Sequence, residues 1–323
     1  RVIYKKKEIA VYFKETCFNK NKYDFFSDEA SPKKITQSQI YCDYQEIFSA
    51  ISNSVSQTPY QESEFENFVR KCEECSELLP TRLRLALRNF SRYSNERGFI
   101  HIKFNNFPEI PYNTPGNMTE SWSKKDFVTE ILLGTIASTL GDIFSYEQMY
   151  KGVPIHNMFP IKAESDTLSS LSSEIILDLH TEDAFHPFPP DYLLLFCLRP
   201  DREKKAISII SSIMDVIPNL TEEQTKLLRK PLYQTRVQHN DAIEGLGPVV
   251  PILSGPDDSP FISFDPDLTS GTTEQSIELL NLLKLNLNKQ VVKFFLDAGE
   301  MLIIDNRKVL HGRNQFKAHC DGN

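Results

Sequence analysis

A chain of 323 residues, 40% hydrophobic and 25% charged, has the composition of a globular protein long enough to bury a sizeable core without disulfide staples. Its net charge is 36 − 44 = −8, which argues against nucleic acid or an anionic membrane as partner. No apolar run reaches the roughly eighteen residues of a membrane span, no signal peptide is visible at the start, and six scattered cysteines (Cys17, Cys42, Cys72, Cys75, Cys197 and Cys320) read as reduced thiols of a cytoplasmic protein.

Residues 1–60 mix short strands with polar turns rich in Lys, Asn and Ser. Helices then dominate. Glu62–Leu79 carries Phe65, Phe68, Val69 and Cys72 at helical spacing, Pro80 opens a second run over Thr81–Phe90, and a third, about Lys125–Leu140, stops at Gly141. Cys72 and Cys75 form a CxxC inside the first run. No second pair with metal spacing follows, so they read as core or surface thiols rather than zinc ligands.

From about residue 150 short β-rich runs take over: Ile175–His180, Tyr192–Leu198, Ile207–Ile210, Val249–Leu253, Phe261–Phe264, Val291–Leu296 and Met301–Ile304. Pro, Gly and Asp punctuate them, the texture of a barrel or sandwich. One helix interrupts, Thr273–Leu285, with Thr272 and Gln275 placed as a capping box. Residues 211–247 read as a long insertion of low strand character, and an insertion of that length is expected to act as a lid. The expectation is one domain over 1–323, helix-rich to about 150 and β-rich beyond it.

The segment EIILDLHTEDAFHPFPP, residues 174–190, carries the clearest chemistry. Residues two apart on a strand share a face, so His180 and Glu182 project together at the end of the Ile175–Leu179 run. An imidazole beside a carboxylate is two-thirds of the facial triad that holds iron(II) and leaves positions open. His-x-Glu alone occurs often by chance. The segment DAGEMLIIDNRKVLHGR, residues 297–313, changes its weight: a strand, a turn at Asp305-Asn306 and then His311, which a hairpin can bring opposite His180 as third ligand. His186, followed by Pro187, reads as structural, and His101, His156 and His239 as ordinary side chains. Arg313 either orients a carboxylate or plays a supporting or surface role.

HTEDAFHPFPPDYLLLFCLR followed by LIIDNRKVLHGR resembles the clavaminate-synthase-like branch of the iron(II)/2-oxoglutarate oxygenases, within it the hydroxylases of free L-lysine and L-arginine, over roughly residues 130–320. The resemblance implies a mixed α/β (α+β) fold, a double-stranded β-helix (jelly roll, cupin-like) core with helices packed outside. It implies His180, Glu182 and His311 as iron ligands, with 2-oxoglutarate and dioxygen as cosubstrates. Ser208, 28 residues after His180, falls where relatives carry a hydroxyl that binds the 2-oxoglutarate carboxylate near the metal. Gln148, Leu168 and Ser170 fall where relatives hold the substrate's amino and carboxyl groups. Asp265 and Asp267, in SFDPDL, match an acid pair that meets the substrate's cationic tail; read alone, they are turn formers around Pro266. The implied reaction is hydroxylation of C3 or C4 of a free basic amino acid, with L-lysine ahead of L-arginine because an ammonium suits a compact two-acid grip.

The resemblance further implies an Arg about fourteen residues beyond His311, near position 325, to pair the distal 2-oxoglutarate carboxylate. The sequence stops at Asn323, so the natural chain is expected to continue into a strand bearing that Arg. Two readings of other classes stay open: a non-catalytic, metal-binding cupin-like protein, which would release no succinate, and a zinc hydrolase, which would need no oxygen. The expected partner is a small molecule, and a homo-oligomer is left open.

Overall fold

The computed structural model describes residues 8–14, 38–54, 58–110, 113–122, 124, 126–147, 152–167, 171–239 and 242–320. Its centre is a strand that is apolar on both faces. Tyr192–Cys197, YLLLFC, is buried at every position, as expected of a strand covered on both sides. Tyr192, Leu194 and Phe196 join Ile100, Ile102, Met301 and Ile303 in one core, beneath helices that supply Phe68, Cys72, Leu83, Leu87 and Ile131. Leu193, Leu195 and Cys197 face the other way with Phe99, Leu302 and Ile304, and meet Ile210, Phe294 and Val309 of a second sheet. The period-2 alternation thus sorts each side chain to one layer.

The larger sheet has seven strands. Its order is Gln39–Asp43, Phe99–Asn105, Glu300–Asp305, Tyr192–Cys197, Glu8–Lys14, Asp142–Ile143, with Ile155–Met158 also pairing with Glu8–Lys14. The smaller sheet has four: Val292–Phe294, Ser208–Ser212, Val309–Arg313, Leu177–His180. Its outer face carries Leu179 and Leu310, which pack on Leu279, Leu280, Leu283 and Leu287 of the helix Glu274–Lys289. The layers are therefore helices, large sheet, small sheet, helix. Gln39–Asp43 and Glu8–Lys14 lie in the same sheet as Glu300–Asp305.

The helices form where the periodicity places them, at Phe65–Leu78, Thr81–Tyr93 and Val128–Leu140, the last with Gly141 as C-cap. Gly134 lets two of them touch: a Cβ there would land on Cys72 Sγ. Cys72 and Cys75 are buried free thiols, and burial pushes the Cys72 thiol well up, so this CxxC belongs to the core. Among the described residues no helix is long and apolar enough to cross a membrane.

Two features differ from the sequence expectation. The capping box before Glu274 uses Thr273 and Ser276, each side chain taking the other's backbone N–H; Thr272 instead donates its hydroxyl to the Leu232 carbonyl at 3.1 Å. Residues 211–247 are not poor in strand: Tyr233–His239 and Ala242–Val250 form an antiparallel pair, and Thr269–Gly271 adds a third strand to it. The alternation in YQTRVQH is genuine, with Tyr233 and Thr235 buried and Arg236 exposed. Register shifts between Ile243/Gly245 and Leu246/Val249 hide the period of the second strand.

Candidate metal centre

His180 closes the edge strand Leu177–His180, and His311 lies in the neighbouring strand Val309–Arg313. The antiparallel register sets His311 directly opposite His180, with ring centroids 4.4 Å apart. Cross-strand partners project to the same side, so pairing alone brings the imidazoles together. The route differs from a hairpin. Glu300–Asp305 pairs within the large sheet and Val309–Arg313 within the small one, so the turn at Asp305-Asn306 carries the chain from one sheet to the other.

Glu182 completes the group. One ligand atom from each of His180, Glu182 and His311 lies within 4.8 Å of the others. His311 Nε2 is 3.3 Å from Glu182 Oε2, close to the roughly 3 Å that separates two adjacent ligands each about 2.1 Å from one ion. His180 Nδ1 lies 2.7 Å from the Asp178 carbonyl. A carbonyl only accepts, so Nδ1 carries the proton and Nε2 keeps its lone pair for a metal. Two imidazoles and a carboxylate of this disposition fit iron(II).

Several supports of this arrangement lie outside the sequence reading. Between His311 and Arg313 the pairing shifts by one residue, from His180 to Leu177, so the His180 strand bulges opposite Gly312. A Cβ on Gly312 would stand 2.5 Å from the Leu177 carbonyl oxygen and 3.0 Å from that of Asp178. Asp183, next to Glu182, adopts φ 51°, a left-handed turn that Asp tolerates, and leads the chain away from the site. Its buried carboxyl is pushed well up, first by desolvation and then by the Glu182 charge. His156 is within electrostatic reach of Glu182, and burial lowers its pKa to about 4, so it is neutral near pH 7 and gives Nε2–H to the Val153 carbonyl at 2.9 Å. The sequence signal for it was slight, an isolated His in a short strand.

Ser208 begins the strand beside His311's. It is buried and pairs with Arg313, while Ile210 pairs with His311; these side chains share the side that faces the large sheet. Arg313 is itself buried and donates through Nη2 to Ser172 Oγ at 3.0 Å and to the Ile175 carbonyl at 3.3 Å. Its role is internal, not a surface one. His186 accepts the Phe188 N–H at Nδ1 (3.1 Å) and packs on Tyr146, as expected of a structural residue. His101, read as ordinary, has a buried partner: its Nε2 lies 3.0 Å from Glu300 Oε2, and Lys103 holds the other oxygen at 2.7 Å.

The acid pair lies next to the ligands. The Thr181 N–H donates to the Phe264 carbonyl at 2.9 Å, and Thr181 Oγ1 accepts the Phe264 N–H at 3.0 Å, which fixes the turn beginning at Asp265 beside His180. The two acids divide their work. Asp265 Oδ1 accepts the N–H groups of Asp267 and Leu268 at 2.8 and 3.2 Å, which is the turn-forming role. Among the described residues the Asp267 carboxylate takes no hydrogen bond, and desolvation followed by Asp265 and Asp178 raises its pKa. Lys284 Nζ sits 2.5 Å from Asp178 Oδ2 nearby. Gln148, Leu168 and Ser170, and the side chain of His239, lie outside the described residues.

Comparison with known proteins places the chain among characterised oxygenases. The taurine catabolism dioxygenase TauD, TfdA family matches residues 136–322. The chain is 32% identical over 266 residues to an L-lysine 3-hydroxylase of Catenulispora acidiphila, covering 79% of this chain and 73% of that one. It is 26% identical to clavaminate synthase 2 of Streptomyces clavuligerus, over 86% of each. In three dimensions it is similar to an asparagine oxygenase solved with Fe(II), 3-hydroxyasparagine and succinate, at a TM-score of 0.78 and 23% identity, over 88% of this chain and 90% of that one. With a family match over more than half its length and a relative of that identity, the chain belongs to the TauD/TfdA family of dioxygenases.

Proposed function

We propose that the protein is an iron(II)- and 2-oxoglutarate-dependent hydroxylase of a free basic amino acid, L-lysine first, built on a double-stranded β-helix core. The observation that carries this reading is the convergence of His180 and His311 from facing registers with Glu182 beside them in a chain similar to an L-lysine 3-hydroxylase. These three residues hold the metal. Bound there, iron(II) with 2-oxoglutarate and dioxygen would supply the oxidant that replaces a carbon-bound hydrogen by hydroxyl, with succinate and carbon dioxide released.

The chain's own residues bind and aim. Ser208 offers a hydroxyl to a 2-oxoglutarate carboxylate on the wall that bears His311. Asp267 receives the ammonium of the substrate side chain, because Asp265 is already committed to its turn and Asp178 to Lys284. The substrate is thereby held at its far end, and the length between that grip and the metal selects the carbon. The panel that tests the assignment is anaerobic loading with iron(II) and 2-oxoglutarate, then oxygen with each of the twenty amino acids. Succinate is expected to rise with lysine or arginine; a flat response across the panel contradicts the reading.

Unequal roles for the two acids give an unequal expectation. Asp267→Ala raises the KM for lysine about thirty-fold and leaves that for 2-oxoglutarate unchanged. This corresponds to about 2 kcal/mol, the low end for a truncated charge partner, since Asp267 is exposed until substrate covers it. Asp265→Ala lowers thermal stability as well as lysine affinity, because it releases the turn. Equal KM changes for both ligands would return the pair to a purely local role.

The three-stranded unit around Tyr233–His239 is the proposed lid. The Arg236 N–H donates to the Leu268 carbonyl at 3.0 Å and its guanidinium to the Asp267 carbonyl, so the lid is tied to the acid turn. A Cβ at Gly247 would approach the Phe185 carbonyl at 4.0 Å, which sets the second strand near the loop that follows Glu182. Hydrogen exchange across 233–250 is expected to slow when iron(II), 2-oxoglutarate and lysine are added together without oxygen; exchange that ignores the ligands removes the lid.

A further inference from the structure

The turn between the sheets contains a side chain whose hydrogen bonds all end on the segment that begins at Glu182. Asn306 is 3% exposed. Its Oδ1 accepts the Glu182 N–H at 2.7 Å, and its Nδ2 donates to the Glu182 carbonyl at 3.1 Å and to the Pro190 carbonyl at 2.9 Å. Its own N–H donates to the Asp191 carbonyl at 2.9 Å. One carboxamide therefore closes the base of the loop Glu182–Pro190 and fixes the main chain of Glu182 from both sides. A carboxamide is the group that can do this, since it presents an acceptor and two donors in one plane.

The turn is rigid on its other flank. Asp305 is fully buried, and Arg307 forks onto it with Nε at 2.8 Å from Oδ1 and Nη2 at 3.0 Å from Oδ2. Arg307 also reaches Tyr192 Oη at 3.0 Å. Five residues beyond Asn306 the same chain delivers His311. Segment 305–311 thus carries one metal-site histidine and the clamp on the metal-site carboxylate. Glu182 lies beyond the end of its strand, in the turn that follows, whereas His180 and His311 are set by their strand pairing.

We propose that Asn306 is the positioning residue that places Glu182 against His311 and so sets the affinity and geometry of the metal site. This rests on the proposed role of Glu182 as a metal ligand. Truncating a residue that supports a ligand typically weakens metal binding by about ten- to a hundred-fold. A residue that merely stabilises the fold would impose its loss regardless of whether Glu182 carries a carboxylate; a residue acting through that carboxylate would not.

The test is a double-mutant cycle with cobalt(II) alone as probe, read by absorption titration on wild type, Asn306→Ala, Glu182→Ala and the double variant. Thermal melts of the same samples show that each is folded. The expected result is a loss of cobalt affinity of about ten-fold or more for Asn306→Ala in the wild-type background, with a changed visible band, and little further loss in the Glu182→Ala background. If Asn306→Ala does not fold, Asn306→Asp carries the test, because it keeps the acceptor for the Glu182 N–H and removes both donors. Wild-type affinity in the single Asn306 variant, or the same fold-loss in both backgrounds, overturns the proposal. Wild-type affinity in Glu182→Ala instead removes Glu182 as a ligand; that result overturns the metal assignment and this inference with it.

Discussion

Replacing His180 or His311 by alanine abolishes both iron binding and lysine-dependent succinate release. The effect is total because, among the described residues, neither histidine has a substitute. His101 is held by Glu300, and His186 is turned onto the Phe188 N–H. His156 is near Glu182, but it donates through Nε2 to its own strand's turn. Removing either one leaves a single imidazole and a carboxylate, one donor short of the facial triad that holds iron(II). The variants should stay folded, since each ring is only partly buried; thermal melts check this. Iron titration by equilibrium dialysis and succinate assay on the same samples check both halves. Full iron occupancy and turnover in either variant would remove that histidine from the site.

Gly312→Val is expected to reach the same endpoint by a different route. The Cβ that valine adds meets backbone, the carbonyl oxygens of Leu177 and Asp178, and backbone cannot swing aside as a side-chain end can. The edge strand must then separate from Val309–Arg313 or lose its bulge. Both outcomes shift His180, whose Nδ1 is anchored on that same Asp178 carbonyl. Overpacking of this kind costs about 1–3 kcal/mol, so the melting temperature falls by several degrees. The larger effect is on the metal site, where a displacement of about 1 Å at one ligand suffices to cost a hundred-fold in rate. Gly312→Ala should show the same pattern at smaller amplitude. Metal affinity and turnover unchanged in Gly312→Val would show that the bulge does not govern the position of His180.

The convergence of His180, Glu182 and His311 was legible in outline because strand geometry is simple. A period of two predicts His180 and Glu182 on one face; the strand in fact ends at His180, and Glu182 reaches the group from the turn that follows, while an apolar run ending in Asp-Asn marks a chain reversal before His311. What the reversal does was not legible. A hairpin and a crossing between sheets share the same local sequence, and only the pairing partners of Glu300–Asp305 and Val309–Arg313 distinguish them. Gly312 and Asn306 were unreadable for a related reason. Their roles depend on backbone atoms more than a hundred residues away, and a Gly or Asn beside a turn has an ordinary local explanation. The apolar core was readable in Tyr192–Cys197, where six consecutive buried positions require cover on both faces. The strand Tyr233–His239 was obscured by its polar half, and Asp265 and Asp267 looked equivalent until their hydrogen bonds separated them.

The most direct test of the central claim is coupled stoichiometry under isotope-labelled dioxygen. Iron(II)-loaded enzyme is given 2-oxoglutarate and L-lysine, and succinate and amino-acid products are followed together by mass spectrometry. One hydroxylysine is expected for each succinate, with label from dioxygen in the new hydroxyl group and loss of both products in the His311→Ala variant. Succinate formation that does not depend on a basic amino acid, or a hydroxyl drawn from water, would contradict the claim.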